Sequence, residues 1–174
     1  MKDTVRDYVL FDLETTGLSP ETEKIIEISA LKVMNGKIVD EFSTLVNPGK
    51  HIPEIATSIN GITDDMVKDA PEVKKALKDF LAFAGDMVLV GHNILSFDMQ
   101  FINKATGFYL GKLVTNDCVD TLRLSRRCLP SLPRHSLQAL ADYYGVSYRG
   151  AHRALADCRI NYEVYERMVR GDKA

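Results

Sequence analysis

The sequence predicts an α/β domain built around a mixed sheet. Three observations carry this. Tyr8 to Glu14 alternates with a period of two, Asn35-Gly36 joins two β-rich segments as a tight hairpin, and the second half interleaves helical periodicities with short apolar strands.

Along the first strand Val9, Phe11 and Leu13 share one face and Leu10, Asp12 and Glu14 the other, and Thr15, Thr16 and Gly17 break it. Ile25 to Met34 is rich in β-branched residues, and Lys37 to Val46 returns antiparallel after the Asn35-Gly36 turn. Asp69-Ala-Pro-Glu72 reads as a capping box opening a helix. Val73, Ala76, Leu77, Phe80, Leu81 and Ala84 then form its apolar stripe, which Gly85 ends. Met87 to Val90 reads as a strand, Phe97 to Ala105 as a helix and Thr115 to Val119 as a strand. Asp120 caps a helix through about Cys128, Ser136 to Tyr144 is a helix stopped by Gly145, and the last helix runs from about Arg153 to Val169.

With 174 residues, no repeat and no Gly/Ser linker, residues 1–174 are expected to form a single domain. Charged residues make up 26% and hydrophobic residues 45%, a globular balance that argues against disorder. Cys118, Cys128 and Cys158 are odd in number and lack C-x-x-C spacing, so neither a disulfide framework nor a zinc site is expected. The charged N-terminus lacks a signal-peptide core and the apolar runs are too short for a membrane span. A cytoplasmic location and no membrane partner follow as expectations. The net charge of −2 excludes bulk attraction to a polyanion, although not a local phosphate site.

Four acids sit where stability would not place them. Asp12 and Glu14, two apart on one strand, point to one sheet face with Cα atoms about 6.8 Å apart. Asp98 shares a helix stripe with Phe101, Ile102 and Ala105, and Asp157 one with Asn161, Val164 and Met168. An ionised carboxylate buried without a partner costs several kcal/mol, and no basic residue lies on these stripes. A lone D-x-E pair is most often a salt-bridged strand pair, and Asp98 near a helix start can draw on the helix dipole. The four together in one small domain point to a carboxylate site for Mg²⁺ or Mn²⁺.

Phe11-Asp-Leu-Glu-Thr-Thr-Gly17, Gly91-His-Asn-Ile-Leu-Ser-Phe-Asp98 and Ala151-His-Arg-Ala-Leu-Ala-Asp157 resemble the three motifs of the DEDDh, or DnaQ-like, 3′→5′ exonucleases. Among these the resemblance leans to the proofreading exonucleases of bacterial replicative polymerases. It spans about residues 6–169, because the Val46 to Val67 and His135 to Val146 segments also resemble that group.

The resemblance implies a ribonuclease H-like fold, with a five-stranded mixed sheet in order 3-2-1-4-5 flanked by helices. It implies two divalent ions, Mg²⁺ or Mn²⁺, held by Asp12, Glu14, Asp98 and Asp157. Asp12 would bridge the two ions, Glu14 and Asp157 would complete the shell of the first, and Asp98 would hold the second through water. His152 would be the general base, since a neutral imidazole can take a proton near pH 7. Five residues before Asp157, it lies about 140° around a helix from it, so it is expected in the loop entering the last helix, where Gly150 allows mobility. Thr15 and Thr16 would bond the 3′-terminal nucleotide and Leu18 would wedge against its base. Phe97 would stack there or pack in the core. Asn60, standing where the family often has His, would also contact the substrate. Arg123, Arg126, Arg127, Arg134 and His135 form an acid-free stretch that fits either a single-strand track or a solvated helix face.

The expected reaction is 3′→5′ removal of nucleoside 5′-monophosphates from single-stranded nucleic acid, DNA before RNA, with an RNA-trimming enzyme as the alternative. A DNA polymerase or sliding clamp is the partner the resemblance implies. Setting the four acids aside turns the net charge of −2 into +2, so the near-neutral balance does not oppose a metal-centred grip on a strand end.

Overall fold

The computed structural model describes residues 5–148 and 151–172. Five strands form one sheet: β1 (Tyr8–Thr15), β2 (Ile25–Met34), β3 (Lys37–Leu45), β4 (Val88–Gly91) and β5 (Cys118–Asp120). Their order is β3-β2-β1-β4-β5. β1 to β3 pair antiparallel, while β1, β4 and β5 run parallel. The predicted mixed sheet and strand order are both present, in the ribonuclease H-like arrangement.

Seven helices accompany the sheet among the described residues: α1 (Glu54–Asn60), α2 (Asp64–Val67), α3 (Val73–Ala84), α4 (Asp98–Leu110), α5 (Thr121–Cys128), α6 (Leu137–Tyr144) and α7 (Ala154–Arg170). The alternation of β1 splits the interior in two. Val9, Phe11 and Leu13 join Ala76, Leu77, Phe80, Phe101 and Ile102 of α3 and α4 on one face. Tyr8 and Leu10 join Cys158, Val164, Tyr165 and Met168 of α7 on the other, with Leu140 of α6 and Leu124 of α5. β1 is therefore covered on both faces, as befits a central strand.

The hairpin forms as expected: Asn35 and Gly36 both adopt positive φ, 52° and 71°, the left-handed pair that suits the twist of the strands. It is pinned to α7, because Tyr162 Oη donates to the Gly36 carbonyl at 3.0 Å.

Three readings are corrected. The capping box at Asp69–Glu72 does not form. Pro71 O accepts from Asn47 N and Glu72 bridges to Asn47, so this segment is extended and α3 starts at Val73, with no side-chain cap on it. The last strand is only Cys118–Asp120, since β4 offers just Leu89 to Gly91 for pairing. α4 runs on through Gly107 to Leu110 and ends at Gly111 in the left-handed conformation. The short α1 and α2 were not read from the sequence, as neither is long enough to show a helical period. The Asp120 cap is present: its Oδ1 accepts from Leu122 N at 3.0 Å and Arg123 N at 3.3 Å.

At the end of β4 the chain passes very close to β1. A Cβ on Gly91 would lie 2.0 Å from Ile94 Cγ2 and 2.9 Å from the Phe11 carbonyl oxygen. Gly91→Ala is expected to destabilise the fold by about 1–3 kcal/mol through overpacking against backbone, read as a lower urea midpoint at unchanged slope.

Candidate active site

The pleat of β1 turns Asp12 and Glu14 to the same side as Leu10, the face that α7 crosses. Cys158 seats α7 there, fully buried, with its thiol donating to the Ser29 carbonyl of β2 at 3.4 Å. Its neighbour Asp157 is thereby aimed at β1. One carboxylate oxygen from each of Asp12, Glu14 and Asp157 lies within 4.8 Å of the others. Asp157 Oδ2 accepts from His152 N at 3.0 Å, whereas Oδ1 is buried with no hydrogen-bond partner. A buried oxygen without a donor, on a carboxylate gathered with two others, fits a hard cation held by oxygen ligands.

Asp98 stands slightly apart from these three. β1 pairs with β4 only as far as Leu10, which leaves its later N–H groups on that side without a strand partner. Asp98, the first residue of α4 and 2% exposed, fills the gap by accepting from Leu13 N at 3.1 Å. One Asp98 oxygen is thus committed to the backbone. Besides the ligand and helix-start roles expected of it, Asp98 thus satisfies a β1 N–H that β4 leaves unpaired.

The crowding has an electrostatic signature. Burial, then the charges of Asp98 and Asp157, hold the Asp12 carboxyl well above the usual range. Burial and then Asp157 push Glu14 up to about 7, against a hydrogen bond from Asn60 and the charge of Arg153. Burial also raises Asp98 and Asp157, although the backbone N–H bonds to each pull the other way.

His152 occupies the loop before α7, as expected, because the helix starts only at Ala154. It is exposed, takes φ of 67° and sets its ring edge-to-face on Tyr148 with centroids 6.3 Å apart. The role read for Gly150 lies outside the described residues. Leu18 is 85% exposed just beyond β1. The two threonines are more constrained than the sequence suggested. Thr15 Oγ1 donates to Gly17 O at 2.7 Å, and Thr16 Oγ1 donates to Glu23 Oε2 at 2.5 Å and accepts from Lys24 N. These hydroxyls close the loop that carries Leu18. Phe97 packs on Phe101, ring centroids 5.1 Å apart, which favours its packing alternative. Asn60 is 5% exposed; its Oδ1 accepts from Ile62 N, and its amide turns to Glu14. It orients a carboxylate where the family's His was read as a base contact.

Two groups escaped the sequence reading. Glu27 on β2 lies directly opposite Glu14 and is 2% exposed. Arg153 holds it in a fork, with Nη2 at 2.6 Å and Nε at 3.1 Å. An acid amid isoleucines in β2 was the available signal, but the pairing register that sets it beside Glu14 was not. Asp120, expected only as a helix cap, also accepts from Asn93 N and Leu95 N, fixing the loop that leads to Asp98.

Glu14 provides a sign-definite test. Its folded pKa of about 7 lies above the unfolded value, so the folded chain retains a proton that the unfolded chain releases, and stability present below about pH 4 is lost as pH rises through about 7. In metal-free buffer, wild type and Glu14→Gln should be nearly equal in stability at low pH. The Gln variant should gain the advantage as pH approaches 8, as read from thermal midpoints.

The model of the exonuclease family matches residues 9–165. The chain is 39% identical over 171 residues to DNA polymerase III subunit epsilon of Aquifex aeolicus, covering 97% of this chain and 84% of that protein. It is 44% identical over 163 residues to DNA polymerase III PolC-type of Caldanaerobacter subterraneus, covering 94% of this chain but only 12% of that much longer protein. Exonuclease X, solved in complex with 5′-overhanging duplex DNA, superposes with a TM-score of 0.76 at 29% identity over 94% of this chain and 91% of its own. An E. coli exonuclease I–ssDNA complex shares the fold, with a TM-score of 0.84 at 17% identity over 96% of this chain and 41% of its own. The chain therefore belongs to the exonuclease family, as a 3′→5′ exonuclease of the DnaQ-like type to which the epsilon and PolC sequences relate it.

Proposed function

We propose that residues 6–169 form one exonuclease domain that removes nucleoside 5′-monophosphates from the 3′ end of single-stranded DNA, in the service of a DNA polymerase. The observation that carries this is the convergence of Asp12, Glu14 and Asp157, one of which keeps a buried carboxylate oxygen without a partner. Such a set suits Mg²⁺ or Mn²⁺, with Asp12, Glu14 and Asp157 as direct ligands and Asp98 behind them. Bound there, a divalent ion supplies an acidified water and neutralises charge on the phosphate oxygens.

The protein's own groups do the rest. Asp12 and Glu14 present oxygens from a strand buried on both sides, so their positions are fixed before substrate arrives. His152, exposed at the rim, accepts the proton of the attacking water and returns it to solvent. Leu18 meets the terminal base, on a loop that the Thr15 and Thr16 hydroxyls hold closed. The upstream strand passes α5, where Arg123 and Arg126 are exposed. A proofreading place beside a polymerase is supported by the extent of the match to the epsilon subunit. A sliding clamp is the other partner in keeping with that reading.

A 5′-labelled single-stranded DNA oligomer with Mg²⁺ or Mn²⁺ is expected to give a descending ladder, and Asp12→Ala to abolish it. Full-length substrate with both metals would contradict the proposal. Faster degradation of a matched RNA oligomer would transfer it to the RNA-trimming alternative. His152→Ala is expected to lower kcat by roughly 10²–10⁴ with a much smaller change in KM, measured on the same DNA.

A further inference from the structure

Glu27 is a buried carboxylate beside the acid cluster that is not itself free to hold a cation. Both of its oxygens are taken: Oε1 by Arg153 Nη2 at 2.6 Å, and Oε2 by Arg153 Nε at 3.1 Å and Ala154 N at 3.0 Å. Its side chain is 3% exposed, while that of Arg153 is 44% exposed. The fork therefore reaches from the protein rim into the sheet and fastens one particular point of the chain, the junction between the loop and α7.

That junction carries His152. A non-glycine residue at φ of 67° is in a sparsely populated conformation and keeps it only when both flanks are held. On its own side, His152 N donates to Asp157 Oδ2 at 3.0 Å. On the other side, the next two residues are tied to Glu27, one through its guanidinium and one through its backbone N–H. Glu27 in turn is fixed by its place in β2, opposite Glu14. The same strand pair thus bears both Glu14 and the anchor for the His152 loop, which sets the distance between them.

We propose that Glu27 and Arg153 act together as positioning residues: the buried fork holds the loop before α7, and with it His152, beside Asp157 of the acid cluster. The inference rests on the reading of His152 as general base. Neither residue touches substrate in this role. Both act through the backbone of residues 152–154, so their loss affects turnover while leaving strand binding in place. Because they act as one unit, their effects do not add.

The test is a double-mutant cycle on the full chain with Glu27→Gln, Arg153→Met and the pair, assayed on single-stranded DNA with Mg²⁺ and followed by amide hydrogen exchange. Each single variant is expected to lower kcat by roughly tenfold to a hundredfold, as for a misplaced reacting group, with KM changed less than about twofold. The double variant is expected to be no worse than the poorer single one, and exchange at residues 152–154 should quicken while the later turns of α7 stay protected. If Glu27→Gln does not fold, Arg153→Met, altered at a half-exposed side chain, supplies the kcat, KM and exchange readouts alone. Unchanged kcat, additive losses, or a loss carried mainly by KM would overturn the proposal. Asp12→Ala runs alongside: its inactivity with unaltered Glu27→Gln refutes the positioning role only, whereas an active Asp12→Ala refutes the site reading beneath it.

Discussion

The constraint on which the rest of this structure depends is mutual repulsion among carboxylates on one sheet face. Asp12, Glu14 and Asp157 bring oxygens within 4.8 Å of one another, with Asp98 and Glu27 close enough for both to raise the Asp12 pKa. Left to themselves such groups would move apart or neutralise by taking up protons. They stay because β1 is packed on both faces and α7 is wedged into the pleat at Cys158. The fold spends packing energy to hold these carboxylates together, an arrangement found more often at functional sites than at structural ones.

The acids differ in how far they are compensated. Glu27 is fully compensated, by a guanidinium fork and a backbone N–H, and has no oxygen left for a metal. Asp157 is half compensated, with one oxygen on His152 N and the other bare. Asp98 lies between these, bonded to Leu13 N through one oxygen. This gradation separates groups that build the site from groups that act in it. It also assigns Asn60 to the builders, since its amide is shared between Ile62 and Glu14.

Much of this was legible in the sequence. The alternation of Tyr8 to Glu14 placed Asp12 and Glu14 on one face. The Asn35-Gly36 turn fixed the hairpin, and the stripes of α4 and α7 placed Asp98 and Asp157 facing inward. Period and turn chemistry are local, so they survive without knowledge of tertiary contacts. What escaped was non-local. The Glu27–Arg153 pair spans 126 residues, and an acid amid the isoleucines of β2 does not by itself reveal its partner. The capping box at Asp69 was a sound local signal that lost to a tertiary one, the bridge of Glu72 to Asn47. Thr15 and Thr16 were read as substrate contacts from the family pattern, and their hydroxyls turn out to be used within the loop.

On the function proposed for this domain, the carboxylates of β1 and α7 are held together to bind a divalent cation. Calorimetric titration of the chain with Mn²⁺, compared with Asp157→Asn, tests it most directly. Saturable binding in the wild type, lost or greatly weakened in the variant while the fold persists, is the predicted result. No binding by the wild type, or equal affinity in the two, would contradict it.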